Sequence, residues 1–207
     1  CAEKKPQGIL FLGGNADNFK RSFGRITLPA VLVTSPAEGL DYPNLSSVTT
    51  NDLQGAACAV DYLIHCGHRK IAVLGGDRTL SDTSAQRYAG CLEAFRRHGL
   101  EFDDEIYYHT GRYSYEEGYK GMQAVLRRAP EVSAVFAMAD VIAIGAMRAL
   151  ADALRENLEG YEAELSRLAG RSSAETAKTE TLQKLRADAQ RQADALASEI
   201  AVLEQGQ

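Results

Sequence analysis

Arg87 stands where a helix does not favour a cation. Within Ser81–Gly90 (SDTSAQRYAG) a helix is expected to start at Ser84, because Tyr88, Cys91, Leu92 and Phe95 then share one apolar face. Arg87 falls in the first turn of that helix, beside the positive end of its dipole, at a cost of a few tenths to roughly 1 kcal/mol. An arginine there suits a binding role, donating charge-assisted hydrogen bonds to hydroxyls or to an anionic group. Gly90 would let a neighbouring backbone come close. Tyr113 is the second candidate. It precedes Ser114, the expected cap of the next helix, where an apolar residue often packs against the fourth helical position. That position is Gly118, which offers nothing to pack against. The ring is left to stack on a ligand or to pack against another loop.

Other chemistry is scarce. His65, Cys66, Gly67 and His68 form an HCGH run with ligand-type side chains, but no second Cys/His pair lies at a metal-site distance. The run also straddles an expected helix end, where Gly and a basic residue act as terminators. No metal site is expected. There is no G-x-S-x-G and no Walker-type phosphate loop. The acidic pairs Asp103/Asp104 and Glu116/Glu117 suit solvated faces. Neither a catalytic constellation nor a cofactor is expected, so the chain is not read as an enzyme.

Short apolar runs set the frame. Gly8–Leu12, Leu28–Thr34, Ser46–Thr50, Lys70–Gly76, Glu105–His109 and Val132–Met138 read as strands, mostly buried on both faces. Between them, Asp52–Cys66 (closed by Gly67), Ser84–His98 (closed by Gly99) and Tyr115–Arg128 read as helices. Ser114 with Glu117 forms a capping box. Asp140 is expected to cap a helix starting at Val141. Alternating strands and helices imply a parallel sheet with helices on its faces. The doublets after two strands, GGN at Gly13 and GGD at Gly75, suit either tight turns or a backbone approaching a ligand at the carboxyl ends of the strands.

After about Asp152 the texture becomes helical. Leu154, Leu158, Tyr161, Leu165 and Leu168 keep a heptad spacing, which Leu182, Ala189, Ala193, Leu196, Ile200 and Leu203 continue. Ser172, Glu175 and Thr179 interrupt it, so two helices with a break near Gly170 are predicted, folding back as an antiparallel hairpin or pairing with another chain, with a single long helix as the alternative.

The 207 residues carry a net charge of −5 and are 45% hydrophobic, enough for one or two globular domains with a real core. The acidic balance argues against gripping nucleic acid directly. No apolar run approaches the ~18 residues of a membrane span. The four cysteines match no disulfide framework, and no lipobox supports an anchor at Cys1. Free thiols in a reducing cytoplasm are expected.

Taken together, GILFLGG, LPAVLVT, GLDYPNLSSVTTNDLQGA, YLIHCGHRKIAVLGG, SAQRYAGCLEAF, YSYEEGY and AVFAMADVIAIGAMRAL resemble the effector-binding region of the lactose-repressor/galactose-repressor family, over about residues 7–151. The resemblance implies α/β, periplasmic-binding-protein-like lobes with parallel sheets around a small molecule, sugar or nucleoside-like. It implies a partial amino-terminal lobe at 1–50, most of a carboxyl-terminal effector-binding lobe at 51–152, and a departing helical tail at 153–207. It assigns Arg87 to effector contact, Tyr113 to stacking, Thr34 to a polar contact and Asp82 to the cleft wall. Asp140 takes the place of the family's Asn-Asp pair, with Ala139 before it.

The implied function is effector sensing for a bacterial transcriptional repressor. Such a protein would be a cytoplasmic homodimer, reaching DNA only through a helix-turn-helix headpiece not among these residues. The alternatives are a solute-binding protein of a transporter, or a structural protein acting through the tail. The lobes read as incomplete, so weak or absent sugar binding is expected, with the tail or a second chain covering the exposed sheet faces.

Overall fold

The computed structural model describes residues 5–13, 16–169 and 176–205. Two three-stranded parallel sheets follow one another along the chain. The first contains β1 (Ile9–Leu12), β2 (Ala30–Val33) and β3 (Leu45–Val48), in that order. Ile9 lies opposite Ala30, and Ala30 opposite Leu45. A helix not expected from the sequence, α1 (Ala16–Ser22), runs into a 3-10 turn at Phe23–Arg25 after β1. It brings Phe19 and Phe23 against Phe11, at 5.1 and 6.2 Å between ring centroids, and Tyr42 closes over Phe23 at 4.9 Å. Side chains alternate across a strand, so covering Phe11 leaves its neighbours on the opposite face. Leu10, Leu12 and Val48 remain 67%, 80% and 64% exposed.

The second sheet is buried on both faces. Its order is β5 (Tyr108–Thr110), β4 (Ile71–Gly75), β6 (Ala134–Ala137), all parallel. Central β4 divides its side chains by alternation. Ile71 and Val73 pack under α2 (Asp52–His65) and α3 (Asp82–Arg97). Ala72 and Leu74 pack under α5 (Tyr115–Arg128) and α6 (Asp140–Ala169). Each large aliphatic side chain buried this way stabilises the fold by about 1.5–3 kcal/mol.

Glycine sets how closely the paired helices approach. A Cβ on Gly90 would lie 2.1 Å from the Leu53 carbonyl oxygen, so α3 crosses α2 there with almost no gap. Gly118 and Gly145 do the same between α5 and α6, where added Cβ atoms would meet the carbonyl oxygens of Ile142 at 2.2 Å and Tyr115 at 2.1 Å.

Several boundaries differ from the sequence reading. Helix α3 starts at Asp82, because the Ser81 side chain accepts from the Ser84 backbone N–H at 3.2 Å. Arg87 therefore lies in the second turn, beyond the strongest part of the helix dipole. Asp140 is the first residue of α6 rather than the cap before it, and the Ala139 carbonyl accepts from Ile142 and Ala143. The run Glu105–His109 is not one strand. Asp103 caps a short helix, α4 (Asp104–Tyr107), accepting from Glu105 N at 2.9 Å, and β5 begins only at Tyr108.

Helix α6 runs unbroken for 30 residues, and α7 (Thr176–Gln205) returns along it. Their ion pairs run in opposite chain directions, Glu164 with Lys178 at 3.7 Å and Glu162 with Arg186 at 2.9 Å. Leu168, Ala189, Ala193 and Ile200 are buried. The heptad residues thus close an antiparallel hairpin, while Gly170, Ser172 and Glu175 of the expected break lie outside the described residues. The tail packs on α6, so it does not cover the exposed Leu10–Leu12–Val48 face as the sequence suggested. Its own apolar stripe is better satisfied along a facing helix stripe than on a flat sheet.

Candidate functional site

Strands β2 and β3 of the first sheet and β6 of the second end at two adjoining clefts. The first, of about 360 Å³, lies between the sheets, with Thr34 and Glu38 on one wall and Asp82, Thr83 and Gln86 on the other. The second, of about 540 Å³, contains Arg87, Met138 and Asp140. The segment Thr50–Asp52 borders both and forms the ridge between them. Four of the sequence-predicted residues therefore meet here, Thr34 with Asp82 and Arg87 with Asp140. Tyr113 lines neither cleft.

Thr34 is the one non-glycine residue with positive φ, 75°, among those described. A β-branched residue there is strained by about 1–3 kcal/mol. The sheet holds it in place, with the Thr34 N–H donating to the Val48 carbonyl at 2.9 Å. Strain at an exposed threonine on a cleft wall is what a fixed polar contact would require.

Arg87 is already engaged. Its Nε donates to Asp52 Oδ1 at 2.8 Å, and Nη1 donates to the Met138 carbonyl oxygen. Nη2 has no partner among the described residues. Asp52 opens α2, and Asn51 before it accepts from Gln54 N at 3.0 Å. The arginine thus ties the start of α2, the second turn of α3 and the end of β6 into one corner.

Tyr113 is not the unpartnered ring the sequence suggested. Its hydroxyl is 3.0 Å from Ser84 Oγ and 4.0 Å from Met138 Sδ. The ring occupies the space that a side chain on Gly76 would fill, 2.6 Å from such a Cβ. The glycine doublet after β4 therefore admits side chains, not a ligand. Tyr113 is still partly exposed.

With this geometry in hand, comparison with known proteins is decisive. Residues 1–163 match the family described as periplasmic binding proteins and sugar binding domain of LacI family. The chain belongs to this family. Among its LacI-family relatives, the HTH-type transcriptional regulator CelR of Thermobifida fusca is 33% identical over 144 residues, 69% of this chain and 42% of that protein. The HTH-type transcriptional regulator MalR of Clostridium butyricum is 32% identical over 154 residues, 72% of this chain and 45% of that one. A solved transcriptional regulator CelR–cellobiose complex superposes with a TM-score of 0.61 at 30% identity, over 72% of this chain and 45% of that chain. This LacI-family chain spans less than half the length of these relatives. No described helix is long and apolar enough to cross a membrane.

The sequence reading missed one cluster in this LacI-type lobe. The Arg78 guanidinium lies 3.9 Å from the Tyr88 ring centre and 4.8 Å from that of Tyr108, and pairs with Asp104 at 2.7 Å. Tyr88 donates to the same carboxylate. Tyr108 donates to the Gly76 carbonyl at 2.6 Å, fixing the loop under Tyr113. A basic residue just after β4 and the acidic run Asp103–Glu105 were the available signals.

Burial, reinforced by Asp104, pushes the Tyr88 hydroxyl up to about 12. Between pH 10 and about 12 the unfolded chain then releases a proton that the folded chain keeps, so stability falls as pH rises through that window. Phenolate absorbance should show Tyr88 and the more deeply buried Tyr108 ionising later than the exposed tyrosines, and Tyr88→Phe should lower the amplitude of that late phase by one phenolate. An unchanged titration in the variant counts against the assignment.

The remaining reactive side chains are plainly placed. His65 ends α2, and Gly67 follows with a φ of 97° as the helix terminator. Cys58 and Cys66 are exposed free thiols. Burial pushes the Cys91 thiol up to about 12, which makes it unreactive at neutral pH.

Proposed function

We propose that this chain is the sugar-sensing region of a bacterial transcriptional regulator. Effector binding in the adjoining clefts is non-covalent, and no reaction is catalysed. Arg87 donates hydrogen bonds through its remaining nitrogen, Thr34, Asp82 and Asp140 offer polar contacts, and Tyr113, outside both clefts, steadies the start of α3 through Ser84. Residues 1–50 and 51–152 act as two partial lobes whose relative closure shifts a population between two states, with 153–207 as a helical appendage. In the whole regulator, a cytoplasmic homodimer, contact with DNA would fall to a helix-turn-helix outside these residues.

The observation that carries this reading is that β2 and β3 of the first sheet end at a polar cleft walled on its other side by the start of α3, while β6 of the second sheet ends at the adjoining cleft, the carboxyl ends of strands being where open α/β sheets bind ligands. The cellobiose complex of a relative supports a sugar over a nucleoside. Calorimetry against neutral mono- and disaccharides and nucleosides tests it. One sugar should bind, and Thr34→Ala and Arg87→Ala should each weaken it at least tenfold. Binding that neither substitution disturbs would overturn the site.

A further inference from the structure

Three helices point their N-termini at the clefts, and each carries an aspartate in its first turn. These are Asp52 on α2, Asp82 on α3 and Asp140 on α6. A helix N-terminus is ordinarily an anion site, because its free N–H groups and dipole favour negative charge. Here each such end already faces a carboxylate of the chain itself. Glu38 adds a fourth acid on the opposite wall. Among the described residues lining the first cleft there is no lysine, arginine or histidine. In the second, Arg87 is the single cation, and Asp52 meets its charge at 2.8 Å.

From this geometry we infer that the site selects its ligand by charge, accepting a neutral or amine-bearing carbohydrate and excluding sugars that carry a carboxylate or phosphate. The inference rests on the cleft being the effector site. Carboxylates accept hydrogen bonds from sugar hydroxyls and gain further from an ammonium group, whereas an anionic substituent meets Glu38 and Asp82 in the first cleft, and in the second meets Asp140 beside a guanidinium that Asp52 already neutralises. Apart from Pro36, the rest of the first cleft is hydroxyl and amide groups from Thr34, Thr49, Thr50, Thr83, Asn51 and Gln86, which suit hydroxyls and add no charge, while Phe136, Ala137 and Met138 give the second an apolar side.

The test is a matched series on the full chain, followed by calorimetry. Glucose, glucosamine, glucuronate and glucose 6-phosphate share one ring and differ in charge, and the disaccharides cellobiose and maltose extend the neutral arm. Neutral and amino sugars should bind at least tenfold more tightly than the anionic ones, a difference of about 1.4 kcal/mol. The gap should narrow as salt screens the carboxylates. The double variant Glu38→Gln/Asp82→Asn should narrow it further and let glucuronate in. Tighter binding of an anionic sugar than of its neutral counterpart overturns the charge selection and leaves the cleft in place. Absence of binding by every member overturns both.

Discussion

Replacing Gly145 with alanine lowers stability by about 2–3 kcal/mol, while Gly160→Ala on the same helix raises it by roughly 0.5–1 kcal/mol. The two sites share α6 and differ only in what faces them. At Gly145 a Cβ would lie 2.1 Å from the Tyr115 carbonyl oxygen and 2.8 Å from the Tyr119 backbone nitrogen. Backbone cannot swing aside as a side chain can, so α5 and α6 must separate, loosening Met122, Val125 and Ile142 beneath them. At Gly160 nothing lies within 4 Å, and alanine simply lowers the entropy of the unfolded chain. Urea denaturation of both variants decides the matter. Equal midpoints for the two would show that α5 and α6 do not meet at Gly145.

Arg87→Ala should cost about 2 kcal/mol of stability apart from any loss of ligand. The Asp52 side chain is 11% exposed and that of Arg87 29%. Breaking a fully buried pair costs about 3–5 kcal/mol, and an exposed one is worth about 0–1 kcal/mol, so this half-buried pair falls between. Most of the loss comes from leaving Asp52 and the Met138 carbonyl without their donor. Asp52→Ala removes the stranded carboxylate, so the double variant should lose less than the sum of the singles. Strictly additive losses by chemical denaturation would mean the pair contributes nothing.

Much of this fold is legible in the sequence wherever burial is continuous. Ile71–Gly75 is apolar at every position because helices cover both faces of β4, and an all-apolar run is readable without a partner. Tyr115–Arg128 is read to the residue, since Ser114, accepting from Glu117 N at 3.3 Å, fixes the start. The misreadings come from competing local signals. Ser84 reads as the start of α3, although Ser81, three residues earlier, caps it and Asp82 fills the first turn. The acids Asp103–Glu105 are a cap and a first turn, yet the aromatic run after them reads as strand. Helix α1 is short, and only its contacts with Phe11 show which of its faces is apolar.

The site was partly legible for the same reasons. Thr34 follows a strand and Asp82 and Asp140 open helices, with Arg87 one turn further along α3, so topology alone brings them to one end of the sheets. That Asp52 would hold Arg87 depends on a crossing of α2 and α3 across 35 residues of chain, and no periodicity encodes it. Which of the two partners Tyr113 takes is not legible locally, because Ser84, which its hydroxyl meets, belongs to a different helix.

Helix α6 has a mechanical consequence. It begins at Asp140 on the floor of a cleft and ends 30 residues later against α7. At 1.5 Å per residue it is a beam about 45 Å long. A tilt of about 5° at the cleft end sweeps the far end through roughly 4 Å. The antiparallel partner α7 doubles the cross-section of the beam along its outer part and stiffens it against bending. What leaves the sheets at Asp152 is thus a lever, fixed at the cleft and able to enlarge a small rotation there.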